Sequence, residues 1–175
     1  RDWSSDVCSS DLPVTVGLTT PAPKKKFAWI NCEIPLCAEV GQDAQVFADA
    51  LGWDLKIING KSFAPAASIQ QAIGWGADYI AISGSPVSMF QKQYDDACEA
   101  GIKFAFVYTT EPVNDCTITS VGDASSVSED AQSLAAWITA DSNASAKTVM
   151  VNIRDFPLLA AEQDALSVSL AKYCD

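Results

Sequence analysis

The chain has 175 residues, 49% of them apolar, enough for one domain or a little more with a sizeable core. It carries a net charge of −11, and its one basic run is Lys24-Lys25-Lys26, so nucleic acid is not expected as a partner. There is no histidine, which removes Ser-His and Cys-His nucleophile pairs and imidazole metal ligands, and no apolar run approaches a membrane span.

The opening stretch, RDWSSDVCSSDL (1–12), has no usable apolar period. It lacks the basic-then-apolar order of a signal peptide. It is similar to the translation of a common sequencing-adapter oligonucleotide, which would make it an artefactual attachment; a disordered natural terminus is the alternative. The fold is therefore expected to begin near Pro13. PVTVGLTTPAPKKK (13–26), with three prolines and no helical period, reads as an extended linker.

Regular alternation follows. FAWIN (27–31) is a short apolar run suited to a buried strand, and Leu36, Val40, Phe47, Ala48 and Leu51 then fall on one helical face that Gly52 ends. WDLKII (53–58) is a second strand. Pro65 opens a helix carrying Ile69, Ala72 and Ile73, closed by Gly74 and Gly76. DYIAIS (78–83) is a third strand, and Ser85-Pro86 reads as an N-cap and first helical residue leading Val87, Phe90, Tyr94 and Ala97 to a stop at Gly101. KFAFVY (103–108) and TITSV (117–121) are the fourth and fifth strands. Val127, Ala131, Leu134, Ala135 and Ile138 line the next helix, KTVMVNI (147–153) is a sixth strand, and a last helix runs from Pro157 to about Tyr173. Strands apolar on both faces, alternating with helices, predict an α/β fold: a parallel sheet with helices on both faces, in three layers.

Ligands of open α/β sheets bind beyond the carboxyl ends of the strands. Here those ends are Asn31-Cys32-Glu33, Ser83-Gly84-Ser85, Tyr108-Thr109-Thr110, Gly122-Asp123 and Asn152-Ile153-Arg154. Hydroxyls, amides and carboxylates, with free N–H groups of helix N-termini beside them, suit multidentate hydrogen bonding to a small polar molecule. The same residue types are also ordinary turn and cap formers. No G-x-G-x-x-G follows the first strand and no phosphate-binding P-loop is present, so no cofactor is implied.

Of six cysteines, Cys8 lies in the opening stretch. Cys32-x4-Cys37 is close enough to bridge, as an oxidising exterior would favour. Free thiols are the alternative, as is a zinc pair, which lacks a histidine or second close pair to complete it. Cys98 with Cys116 is a further possible bridge, leaving Cys174 unpaired.

The phrases AQVFADALGWDLKIING, IQQAIGWGADYIAISGSP and YDDACEAGIKFAFVYTTEP, in that order, resemble the type I periplasmic binding proteins of the ribose-binding group, and ITSVGDASSVSEDAQSLAAWI resembles their first crossing into a second lobe. The resemblance covers about residues 24–175. It implies two α/β lobes closing on one solute, and an extracytoplasmic protein that delivers a sugar or sugar-like ligand to an ABC transporter permease, with membrane attachment only through a lipid anchor lost from this sequence. It further implies that 27–121 form most of lobe one, that 122–175 begin an incomplete lobe two, and that the piece is truncated at both ends. Exposed sheet edges would then make residues 13–175 poorly soluble alone.

Carried over by position, the ligand contacts would be Asn31, Glu33 and Ile34 after the first strand and Ser83 and Ser85 after the third. Tyr108-Thr109 stand where sugar binders of the family carry an Asp-Arg pair, which puts a simple pentose or hexose in doubt. Asp123 is a contact or a plain helix cap, Arg154 a contact or a surface ion-pair residue, and Trp29 a core residue rather than a stacking platform. Two rival classes remain: the effector domain of a sugar-responsive repressor, which needs an upstream helix-turn-helix, and a small α/β enzyme, for which no nucleophile has a credible base.

Overall fold

The computed structural model describes residues 19–33 and 35–172. The artefact reading of 1–12, residues 13–18 of the linker, Ile34, the side chain of Leu36, and residues 173–175 lie outside the described residues.

Five parallel strands form one sheet in the order β2-β1-β3-β4-β5, with β1 Lys26–Asn31, β2 Asp54–Asn59, β3 Tyr79–Ser83, β4 Lys103–Val107 and β5 Thr117–Val121. Phe27 to Ile30 of β1 lie beside Tyr79 to Ile82 of β3, which lie in turn beside Lys103 to Phe106 of β4. Alternate residues of each strand point to opposite faces. One face sends Ala28, Ile30, Ile80, Ile82, Phe104 and Phe106 into a core shared with α2 (Ala66–Trp75) and α3 (Gln91–Glu99), where Ile69, Ala72, Phe90 and Ala97 meet them. Phe104 and Phe106 have no exposed surface and stack with ring centroids 5.8 Å apart, each burial contributing roughly 1.5–3 kcal/mol. The other face carries Trp29, covered by α1 (Pro35–Leu51). The expected three-layer α/β sheet is the one observed.

The helix over Trp29 packs on small residues. Cys37, Gly41 and Ala48 face the sheet, and a Cβ at Gly41 would lie 2.9 Å from Asn31 Oδ1 and 3.2 Å from the Trp29 ring. The expected face of large side chains is corrected: Val40 and Leu51 are over one-third exposed and Phe47 is 70% exposed, because the bulky indole leaves room only for small neighbours. Ser85-Pro86 does not cap a helix either. A short 3-10 turn, Val87–Met89, comes first, and α3 begins after Phe90, whose φ of −148° breaks the run.

The expected sixth strand is absent. Residues 147–153 are irregular, with Val149 and Val151 over nine-tenths exposed. β-Branched residues favour a pleated surface but a strand is held by its neighbour's ladder, and no described strand pairs with this segment. The flanking helices α4 (Ala124–Asp141) and α5 (Pro157–Leu170) pack on each other through Ala131, Ala135 and Leu166.

Both candidate cysteine pairs are bridged: Cys32–Cys37 with Cα atoms 5.5 Å apart and Cys98–Cys116 with 5.6 Å. The bridge at Cys32–Cys37 leaves no thiolate for zinc.

Candidate functional site

The carboxyl ends of the strands form one wall of a cleft of about 550 Å³, within the range of small-molecule sites. Cys32 and Glu33 come from the loop after β1, Ser62 and Phe63 from the loop after β2, Ser83 and Gly84 from β3, and Val107 and Tyr108 from β4. The opposite wall is Val127 and Asp130 of α4, Ile153 and Phe156, and Leu158, Leu159 and Glu162 of α5. The two walls touch where the Phe63 and Phe156 rings stand 4.8 Å apart. Trp29 reaches the floor of the cleft while only 5% exposed, and its indole N–H donates to Asn31 Oδ1 at 2.7 Å. It is a core residue with one edge on the site.

Three strand ends are bent into the left-handed region on this side of the sheet. Gly84 has φ 75° and Gly122 has φ 67°, which glycine accepts freely. Tyr108 has φ 54°, a conformation that costs a side-chain-bearing residue on the order of 1–3 kcal/mol and gathers at functional sites. Its N–H donates to the Val121 carbonyl at 2.7 Å, and the Gly84 N–H to the Val107 carbonyl at 2.9 Å, so the ends of β3, β4 and β5 are tied together. The Tyr108 ring lies against Gly122 and is 55% exposed.

Of the residues expected to bind, Glu33, Ser83 and Tyr108 line the cleft. Asn31 and Ser85, buried, border an adjoining water-sized niche with Lys61 that shares Cys32, Ser62 and Ser83 with the cleft. The Asn31 amide is engaged with Trp29 and donates to Asn59 Oδ1, while the Ser85 hydroxyl donates to the Ser62 carbonyl at 2.9 Å. Thr109 is 2% exposed, and its Oγ1 accepts from the Glu111 N–H; Glu111 in turn accepts from the Val87 N–H at 2.8 Å. Asp123 caps α4, accepting from the N–H groups of Ser125 and Ser126. The Ser126 N–H first of all holds its carboxyl below the usual carboxylate range. Arg154 pairs with Asp164 at 3.2 Å and donates to Gln163. The structure shows the cap at Asp123 and the ion pair at Arg154, one of the two roles expected of each.

The sequence reading passed over Phe63, Phe156, Asp130 and Glu162. Phe63 carried a usable signal, because the loop after β2 is also a carboxyl end of the sheet, and Phe156 stands directly before the Pro157 that starts α5.

No family model and no curated protein matches the chain. Solved structures do. An ABC sugar transporter subunit from Rhodobacter sphaeroides is similar with a TM-score of 0.68 and 17% identity, over 85% of this chain and 53% of that one. A solute-binding protein from Thermotoga lettingae in complex with 5-methylthioribose gives 0.72 at 16% identity, over 85% and 47%. One from Clostridium phytofermentas with bound L-rhamnose gives 0.71 at 19%, over 87% and 49%. The chain therefore has the fold of the type I periplasmic binding proteins, and it spans about half the length of the solved structures it matches.

Proposed function

We propose that the chain is part of an extracytoplasmic solute-binding protein that captures a small polar ligand, a sugar or sugar-like molecule, between two lobes and passes it to the permease of an ABC importer. The observation that carries this reading is the 550 Å³ cleft at the carboxyl edge of the sheet, faced by α4 and α5, on a fold shared with proteins solved with bound sugars. On this reading residues 27–121 are most of the first lobe and 122–175 the start of the second.

Glu33, Ser83 and Tyr108 make the polar contacts, and the faces of Phe63 and Tyr108 offer apolar surface to the C–H face of a ring. Asn31, Ser85 and Thr109 hold the loops that present them. The two disulfides favour an oxidising compartment, and attachment to a membrane is through a lipid anchor outside this segment. The role is binding and release, not catalysis.

The test is a titration of the isotopically labelled 175-residue chain with L-rhamnose and with 5-methylthioribose, followed by amide chemical shifts. Binding with a Kd on the order of 1 mM and shifts confined to the cleft residues is expected, because lobe closure draws on contacts from two complete lobes. No cleft shift with either sugar overturns the reading. Nanomolar binding by this chain alone overturns the shared two-lobe site.

A further inference from the structure

The two walls of the cleft differ in what they offer a ligand. On the sheet side, Ser62 and Ser83 are half-buried and line the space, and among the described residues neither hydroxyl has a hydrogen-bond partner; Ser62 engages its carbonyl alone, which accepts from Ser85. The opposite wall is apolar through Val127, Phe156, Leu158 and Leu159, and its carboxylates, Asp130 and Glu162, accept hydrogen bonds but donate none. The other polar groups beside it bond among themselves. The Asn152 amide donates to the Leu159 carbonyl at 2.9 Å and to Gln163, and Arg154 donates to Gln163 and Asp164. Phe63 reaches toward this wall from the sheet side and is 56% exposed, so much of its ring stays open beside Phe156.

A hydroxyl turned toward the apolar wall would give up water and gain no partner, which is unfavourable. A hydrocarbon or aryl group turned the same way leaves water for apolar contact. An aryl ring gains further from edge or offset packing against Phe63 and Phe156. The cleft is half open, so hydroxyls beyond the reach of Ser62 and Ser83 keep their water. Resting on the cleft reading above, we propose that the cleft takes a two-part ligand: a hydroxylated end held by Ser62 and Ser83, and an aryl or alkyl body laid against Phe63, Phe156 and Leu159. The class is a sugar carrying an apolar substituent, not a bare polyhydroxylated ring.

The experiment titrates the isotopically labelled 175-residue chain with glucose, phenyl β-D-glucopyranoside and phenol, which present the hydroxylated end, both parts, and the apolar part. Amide shifts follow each. Phenyl glucoside is expected to bind at least ~10-fold more tightly than either glucose or phenol, because aryl burial and hydroxyl contacts both contribute. Phe63→Ala should bring the preference over glucose toward unity, and Ser83→Ala the preference over phenol, with the spectrum of each variant unchanged away from the cleft. If glucose shifts the cleft and binds as tightly as phenyl glucoside, the apolar-body inference fails and the cleft reading stands. Phenol binding as tightly as phenyl glucoside overturns the inference from the other side, since the hydroxylated end then adds nothing. A preference for phenyl glucoside that survives both variants overturns the placement of the two parts. If no probe shifts the cleft, the inference and the cleft reading both fail.

Discussion

The contact between Tyr108 and Gly122 tests how the sheet-side wall of the cleft is set. A Cβ at Gly122 would lie 2.6 Å from Tyr108 Cδ1 and 2.7 Å from Cε1, closer than such atoms approach. Gly122 also has φ 67°, so alanine there bears a left-handed backbone cost of about 1–2 kcal/mol. Overpacking a rigid core would add roughly 1–3 kcal/mol. Tyr108, however, is 55% exposed and has solvent to swing into, so the added term belongs at the low end. Gly122→Ala should therefore lower the unfolding free energy by about 2 kcal/mol in urea melts, with about 1 kcal/mol due to the backbone and the rest to the displaced ring. The ring portion must vanish in a Tyr108→Gly background, where there is nothing to displace. A double-mutant cycle reads that coupling. An equal cost for Gly122→Ala with and without the ring would refute the packing argument, and a cost below about 0.3 kcal/mol would refute the backbone one as well.

The two bridges should contribute unequally. Cys98–Cys116 closes a separation of 18 residues and Cys32–Cys37 one of 5, so loop entropy predicts a loss of about 3 kcal/mol for the Cys98→Ser, Cys116→Ser pair and about 2 kcal/mol for the Cys32→Ser, Cys37→Ser pair, read by denaturant unfolding. Only the second pair lines the cleft, so only it should also weaken sugar binding. The Asp78 carboxyl is held below its ordinary value of 3.8, first by the Lys26 N–H at 2.8 Å and then by the Lys25 ammonium at 2.9 Å. A depressed carboxylate pKa gives stability that is complete above 3.8 and lost as pH falls through the lower folded value. Asp78→Asn should then be less stable than the parent at pH 6 and converge on it under acid, and a constant difference down to pH 2 would contradict the pairing. Phe156→Ala removes the aromatic contact across the cleft and should cost about 1 kcal/mol while leaving the melting of the sheet core cooperative; a loss above about 3 kcal/mol would place Phe156 in the core instead.

Much of the sheet was legible because its strands are buried on both faces. FAWIN, DYIAIS and KFAFVY read as strands from their apolar runs, and β1, β3 and β4 are the central three. Gly76 and Gly101, at φ 77° and 81°, end their helices as expected. The KTVMVNI segment failed for the converse reason. Its valines carry strand propensity, but propensity does not supply a partner, and Val149 and Val151 lie in solvent.

The site was half legible. Sequence placed Glu33, Ser83 and Tyr108 at strand ends, and strand ends are where a parallel sheet opens. It could not say which polar groups would be left free. Ser85, Thr109 and Asp123 are hydrogen-bonding residues in the expected places, yet a carbonyl of the β2 loop, the N–H of Glu111 and the first turn of α4 take them up. Local sequence determined the alternation, the parallel sheet and the turns, because these depend on residues near one another in the chain or on burial averaged over a strand; the cysteine pairing it left open. Only the tertiary structure decided that Phe63 meets Phe156, that Trp29 reaches the cleft, and that Glu33, Asp130 and Glu162 are among the residues that border one cleft. Those encounters join residues up to 129 positions apart, from Glu33 to Glu162, and no local propensity encodes a contact made by packing one helix pair over the end of a sheet.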